Sequence, residues 1–183
     1  MTKMMSILVI MEEIENGNLK WNEMITTSEK ASSMGGSQIF LKVGEKMTVE
    51  DLLKGVAIAS GNDAVVALAE RVSGSEEQFV KRMNVRAKDL GLKNTNFINA
   101  TGLTADNHYS SAYDMSLIAK ELVKHEKILE FTSTYEDYLR KDTKSPFWLV
   151  NTNRLVRFKE GVDGLKTGFT DEAGYCLTAT MKK

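Results

Sequence analysis

Three short stretches of this chain carry the residue types that acyl transfer needs: Met1-Thr2-Lys3, Ser60-Gly61-Asn62 and Lys166-Thr167-Gly168. Attack on an amide carbonyl requires a nucleophile, a base for its proton, an acid for the leaving amine, and donors for the oxyanion. A serine and a lysine three residues apart on a helix share a face. The amine can then take the hydroxyl proton, provided burial and a neighbouring cation lower its pKa. Lys3 opens an apolar helix and suits that base role; on its own it would equally read as a solvated lysine near a chain end. The serine of such a Ser-x-x-Lys pair would fall one residue before Met1, so residues 1–183 hold the base without the nucleophile. Thr2 adjoins the lysine instead of lying a turn away and cannot replace it.

The other two stretches fit the remaining tasks. Ser60 can stand in the proton path toward the leaving amine, with Asn62 holding the base lysine and a substrate amide. The competing reading makes Ser60 and Asn62 caps of the helix that follows. Lys166-Thr167-Gly168 falls on a strand, whose edge can take up an extended peptide by backbone pairing. Gly168 has no side chain to block that approach. Lys166 supplies charge that lowers the pKa of a second lysine, and Thr167 can bind a terminal carboxylate. The alternative there is an exposed edge strand with an ordinary lysine. Each triplet alone is common; their order and local contexts together favour one site.

The elements that must position these residues are legible in part. Lys3 to Asn16 reads as a helix stopped by Gly17, and Met4, Met5, Ile7, Leu8, Val9, Ile10, Met11 and Ile14 make it apolar on nearly every face. Such a helix belongs at the centre of a core. Residues 24–47 read as loop with short extended pieces and a turn at Gly35-Gly36-Ser37. Thr48 with Asp51 starts a helix carrying Leu52, Leu53, Val56 and Ala57 inward. After the break at residues 60–62 come a helix over about 63–72 and one capped by Ser75 that runs to Leu90. Another is capped by Ser111 with Asp114, and a shorter one lies near 126–132. From Tyr135 the pattern turns to strands or an irregular lid. Gly164 to Thr170 and Gly174 to Met181 read as a terminal hairpin, with Tyr175, Leu177 and Ala179 on one face. A hairpin alone is marginal and wants a larger sheet.

Composition sets the bounds. At 183 residues, 42% hydrophobic and 27% charged, the chain fits one globular domain. A net charge of −1 gives no electrostatic case for nucleic acid or an anionic membrane. The single Cys176 excludes an intrachain disulfide and reads as a small core residue. The apolar run from Met4 to Met11 is too short to span a bilayer and is followed by Glu12, Glu13 and Glu15. It lacks a small-residue cleavage site, so the chain as written has no export signal or membrane anchor. His108 and His125 are isolated and read as surface or capping residues, so no metal site is expected, nor any cofactor. Ser6 reads as packing within the first helix. Asn99-Ala100-Thr101 matches a glycosylation acceptor by chance.

With these residues in view, the chain closely resembles the D-alanyl-D-alanine carboxypeptidases, the low-molecular-weight penicillin-binding proteins of the S11 peptidase type. The likeness runs through the Met1-Thr2-Lys3-Met4-Met5 start and through Leu41-Lys42-Val43-Gly44-Glu45 and Thr48-Val49-Glu50-Asp51-Leu52-Leu53. It continues in Ala59-Ser60-Gly61-Asn62-Asp63-Ala64 and Asn99-Ala100-Thr101-Gly102-Leu103. Asn151-Thr152-Asn153-Arg154-Leu155 and the segment from Gly161 to Thr170 complete it. The resemblance implies an α+β fold of the β-lactamase/DD-peptidase type, a helical region on a five-stranded antiparallel sheet. Only part of that sheet, the C-terminal hairpin, falls within this chain. It implies one incomplete catalytic domain over residues 1–183 that removes the terminal D-alanine of peptidoglycan stem pentapeptides through an acyl-enzyme on serine.

Carried over by residue, the resemblance makes Lys3 the general base, Ser60 and Asn62 the second motif, and Lys166, Thr167 and Gly168 the third. The Phe169 N–H becomes one oxyanion donor. Partners would be the stem peptide and β-lactam inhibitors, in the cell envelope outside the cytoplasm. The family's serine, first strands, export signal, last sheet strand, C-terminal membrane-associated region and a carboxylate-binding arginine lie outside these residues. The expectation is therefore an internal piece or mis-started frame of such an enzyme, truncated at both ends and inactive. Its hairpin edge is expected to self-associate. Two rivals remain. One is a non-catalytic module that binds the peptidoglycan peptide without turnover. The other, a class A β-lactamase-like protein, is disfavoured by Ser-Gly-Asn in place of Ser-Asp-Asn and by the want of a Glu-x-x-Leu-Asn segment.

Overall fold

The first helix is the axis on which the rest is built. In the computed structural model, which describes residues 1–182, α1 (Lys3–Glu15) is buried from Lys3 through Met11. Its apolar residues point in every direction, and α3 (Val49–Ala59), α4 (Asn62–Ser73), α5 (Glu76–Asp89) and α6 (Ala112–Leu122) pack around it. Gly17, at φ +76°, takes the left-handed conformation that ends it. The surrounding helices begin where the sequence supplies an acceptor for a free N–H. Thr48 accepts from Asp51, Ser75 from Gln78, and Ser111 from Asp114. Leu52, Leu53 and Val56 of α3, Val65 of α4, Phe79 and Met83 of α5 and Ile118 of α6 close on α1 as one core.

Residues 24–48 hold more structure than loop. β1 (Met24–Thr26) pairs antiparallel with β2 (Lys46–Thr48), Ile25 opposite Met47. Between them lies a single helical turn, α2 (Glu29–Ser32), which the sequence reading missed although Ser28 caps it. After α7 (Glu126–Ser133), the segment read as strands or a lid is a hairpin of β3 (Glu136–Leu139) and β4 (Phe147–Val150). A second unforeseen turn, α8 (Leu155–Phe158), leads into β5 (Val162–Thr170) and its antiparallel partner β6 (Gly174–Met181). The architecture is α+β, helices with short antiparallel sheets. No helix among the described residues is long and apolar enough to cross a membrane.

The terminal hairpin is tied down on one side only. α7 packs on β5 and α6 on β6, yet β6 alternates half-buried and exposed residues along its whole length. Tyr175, Leu177 and Ala179 do share a face, and it is the exposed one. Cys176 corrects its expectation. It is half-buried, its sulfur 3.8 Å from the Ala173 carbonyl, and lies outside the core, because the strand it belongs to is half-buried on one face and exposed on the other.

Candidate active site

The start of α1 is held by a loop from far along the chain. Lys3 is 6% exposed and donates from Nζ to the Thr101 carbonyl at 2.8 Å. Ser6, read as packing, donates to the Ala100 carbonyl at 2.7 Å, and the Ala100 N–H reaches Glu76 Oε1 at 3.0 Å. Asn99 braces the same loop, accepting from Gly102 N–H and donating to the Leu103 carbonyl. Gly102 has φ +83°, and a Cβ there would stand 3.0 Å from the Thr2 side chain, so the loop can lie this close only with glycine. His108 is neither surface nor cap. Its Nδ1 accepts the Ile98 N–H at 3.2 Å, which puts the proton on Nε2, 2.8 Å from Thr2 Oγ1. Burial lowers its pKa and favours that neutral form. His125 is buried, where His108 is half-buried, and is paired with Glu15 at 2.6 Å; it stands at the N-cap position of α7 without its side chain capping the helix. Both were misread because their partners are remote in sequence.

Burial and the Lys166 charge bring Lys3 from an ordinary lysine value down to about 7, while Asp63 pulls the other way. Near neutrality a large share of Lys3 is therefore free amine, able to accept a proton. The reading of Lys3 as a solvated terminal lysine fails on its burial.

Between α3 and α4 the chain turns sharply. Ser60 closes α3 in the left-handed region at φ 61°, a conformation that costs a non-glycine residue about 1 kcal/mol or more. Gly61 then occupies the N-cap position of α4, which begins at Asn62. Neither Ser60 nor Asn62 caps that helix, which removes the structural alternative for the pair. The Gly35-Gly36-Ser37 turn instead cradles Asn62. Asn62 Nδ2 donates to the Gly35 carbonyl at 2.7 Å and its N–H to the Ser37 carbonyl at 2.7 Å. Its Oδ1 is buried with no partner among the described residues. A buried acceptor left open in this way is costly and marks a place for an incoming N–H. Asp63 beside it takes the N–H groups of Ile39, Leu41 and Ala64, fixing the 39–41 segment against α4.

Strand β5 supplies the third stretch. Lys166 is 2% exposed, donates to the Thr167 carbonyl at 3.0 Å, and is lowered by burial to about 8. It is no ordinary edge lysine. A Cβ on Gly168 would stand 2.8 Å from the backbone nitrogen of Met1, so β5 passes directly against the start of α1. Thr167 Oγ1 donates to Thr152 Oγ1 at 2.7 Å. The Phe169 side chain faces outward, 57% exposed, and rests on Tyr175 with ring centroids 4.7 Å apart. Lys3 thus lies within charge reach of Lys166 and Asp63, and β5 meets the start of α1 at Gly168; Ser60 and Asn62 share the turn that leads into Asp63.

Residues 151–153 went unassigned in the sequence reading although the Asn-Thr-Asn run was visible. Asn151 Nδ2 donates to the Thr132 and Thr134 carbonyls, and Asn153 Nδ2 to the Gly164 carbonyl at 2.9 Å. The Thr152 N–H reaches the Ile58 carbonyl at 3.1 Å. This segment is a strut between the end of α3 and β5. Two hollows lie elsewhere. One of about 660 Å³ is bounded by Phe40, Arg140 and Phe147, and one of about 310 Å³ by Glu12, Arg82 and Arg86. Neither includes a residue of the three stretches.

A family model described as D-alanyl-D-alanine carboxypeptidase, peptidase S11, matches residues 1–183. The chain is similar to D-alanyl-D-alanine carboxypeptidase DacF of Bacillus subtilis (strain 168), 65% identical over 183 residues, which are 100% of this chain and 47% of that protein. With DacA of Escherichia coli (strain K12) it shares 39% identity, covering 98% of this chain and 45% of the other. The chain spans about half the length of the curated relatives it matches. Penicillin binding protein 5 from Haemophilus influenzae superposes with a TM-score of 0.92 at 37% identity, covering 100% of this chain and 53% of that one. Penicillin-binding protein D2 from Listeria monocytogenes, solved in its cefotaxime-bound form, superposes at 0.85 and 33% identity, covering 100% and 73%.

Proposed function

This chain belongs to the peptidase S11 family of D-alanyl-D-alanine carboxypeptidases, and from that premise we propose that it supplies most of the machinery of a serine-type enzyme releasing the terminal D-alanine of peptidoglycan stem pentapeptides. The observation that carries the reading is the buried pair of lysines. Lys3, lowered to about 7, lies within charge reach of Lys166 and of Asp63, the residue that follows an Asn62 whose oxygen is open. A serine directly before Met1 would lie one helical turn from Lys3 and against Gly168.

In this reading Lys3 takes the serine proton as Oγ attacks the penultimate carbonyl. The new ester bond forms as the amide C–N bond breaks, and the proton passes by way of Ser60 to the departing D-alanine amine. Water then adds to the ester and frees the serine. Asn62 Oδ1 accepts an N–H from Lys3 or from the substrate amide. Thr167 holds the terminal carboxylate, Gly168 admits the peptide backbone, and the Phe169 N–H shares the oxyanion with the serine's own N–H. Lys166 keeps its charge beside Lys3 and the anionic substrate. Residues 1–183 form one incomplete catalytic domain, working in the cell envelope outside the cytoplasm. β-Lactams acylate the same serine.

Without that serine the 183-residue chain does not turn over; loss of the nucleophile costs about 10⁶ in rate in one well-studied serine protease. A second reading rests on this point, that these residues alone bind the peptide without cleaving it. Fluorescent penicillin followed by intact-mass measurement separates the two. We expect no adduct on the 183-residue chain and a stoichiometric adduct on a chain with the serine restored ahead of Met1. An adduct on the first, or none on the second, overturns the assignment.

A further inference from the structure

The strut at residues 151–153 holds a hydroxyl against the third motif, and we propose that Thr152 is a positioning residue that turns the Thr167 hydroxyl toward a substrate carboxylate. The inference rests on the carboxypeptidase reading and deepens it. Thr167 Oγ1 lies 2.7 Å from Thr152 Oγ1 and, as found, gives its only hydroxyl proton to it. A hydroxyl spending its proton in this way cannot also donate to an anion. When a carboxylate arrives, the two protons must turn together. Thr152 then donates to Thr167, and Thr167 donates outward.

The surroundings permit this exchange and little else. The backbone at Thr152 is fixed, its N–H on the Ile58 carbonyl at 3.1 Å. Asn151 and Asn153 are buried and bonded on either side, to α7 and to β5. The Thr152 side chain itself is exposed, so its hydroxyl is free to rotate. The fixed backbone keeps Thr152 beside Thr167, while the exposed side chain can turn to bring its own hydroxyl into donor geometry. Once reversed, the chain of two bonds ends on a charge, and each bond polarises the next. A lone Thr167 hydroxyl would have to point at the anion without that support.

The test compares wild type, Thr152→Val and Thr152→Ser in the protein carrying a serine one turn ahead of Lys3. Two peptides are used, one ending in D-Ala-D-Ala with a free carboxylate and the other in its C-terminal amide. Valine keeps the shape and removes the hydroxyl. We expect KM for the carboxylate peptide to rise about 5- to 10-fold, the worth of roughly one hydrogen bond, with kcat within twofold (about the resolution of a ΔΔG near 0.4 kcal/mol). The amide peptide should be handled alike by both, and serine should restore the wild-type KM. A valine variant indistinguishable from wild type overturns the inference, as does an equal loss on both peptides, which would mark a merely structural role. Failure of the unsubstituted protein to cleave either peptide defeats the carboxypeptidase reading itself, and the inference falls with it.

Discussion

Two buried lysines within electrostatic reach of each other set the pH window of this site. Each would pay heavily to be charged without water, and the Lys166 charge makes a charge on Lys3 costlier still. The outcome is unequal: Lys3 falls to about 7 and Lys166 to about 8. On the proposed function, Lys3 becomes free amine as pH rises through the lower value and can serve as base, so acylation should speed up. Above the higher value Lys166 loses the charge that would attract an anionic substrate, and the rate should decline. In the serine-bearing protein, the second-order rate of acylation by benzylpenicillin should trace a narrow bell with limbs near these values, which belong to the pair. Lys166→Gln removes a positive neighbour from Lys3, so its acid limb should move to higher pH, whatever happens to the maximum rate. A limb that stays put, or moves to lower pH, would show that Lys166 does not govern the base.

At the scale of the element, α4 does more than bury apolar residues. Its first turn carries Asn62 and Asp63, and Asp63 gathers three backbone N–H groups from the 39–41 segment and its own helix end. A carboxylate at a helix N-terminus is also favoured by the helix dipole. Asp63→Ala would leave those donors buried and unpaired, at a cost of about 2–4 kcal/mol. By differential scanning calorimetry the midpoint should fall by about 4–16 °C for a chain of this size, whereas Asp106→Ala, on an exposed loop, should leave it unchanged. An unshifted midpoint for Asp63→Ala would mean the 39–41 segment is held by other contacts. Nothing in the sequence around Asp63 advertised this role, because two of its three partners lie more than twenty residues earlier and all are backbone groups. What could be read locally was read. The caps at Thr48, Ser75 and Ser111 and the all-round apolar α1 need only neighbours in sequence. The four-residue turns α2 and α8 are too short to print a period. Taken alone Lys3 would read as solvated, and His108 as superficial, because each has a bonding partner some hundred residues away, the Thr101 carbonyl for Lys3 and Thr2 for His108. Thr152 stood in plain sight within Asn-Thr-Asn, but its meaning depends on β5 arriving beside it.

Taken whole, the molecule is unevenly finished. The helices enclose α1 on all sides, while the hairpin that carries Lys166 has one sheet neighbour per strand and an open outer row of N–H and C=O groups. Tyr175 is 93% exposed, Leu177 52% and Phe169 57%, which puts apolar surface on the same strands. An unpaired edge with an apolar face is a template for another strand. The related penicillin binding protein 5 from Haemophilus influenzae is matched over 53% of its length. We therefore expect residues 1–183 alone to associate through β6 as concentration rises, read by sedimentation velocity. Tyr175→Lys with Leu177→Lys should weaken the association by placing like charges on the contact. Hydrogen exchange supplies the independent readout, since β6 amides should be protected in the associated form and exchange quickly on dilution. A monomer at every concentration whose Gly174–Met181 amides are nevertheless slow to exchange would mean that the hairpin is stable with its edge open. The third motif would then need no further strand to hold its shape.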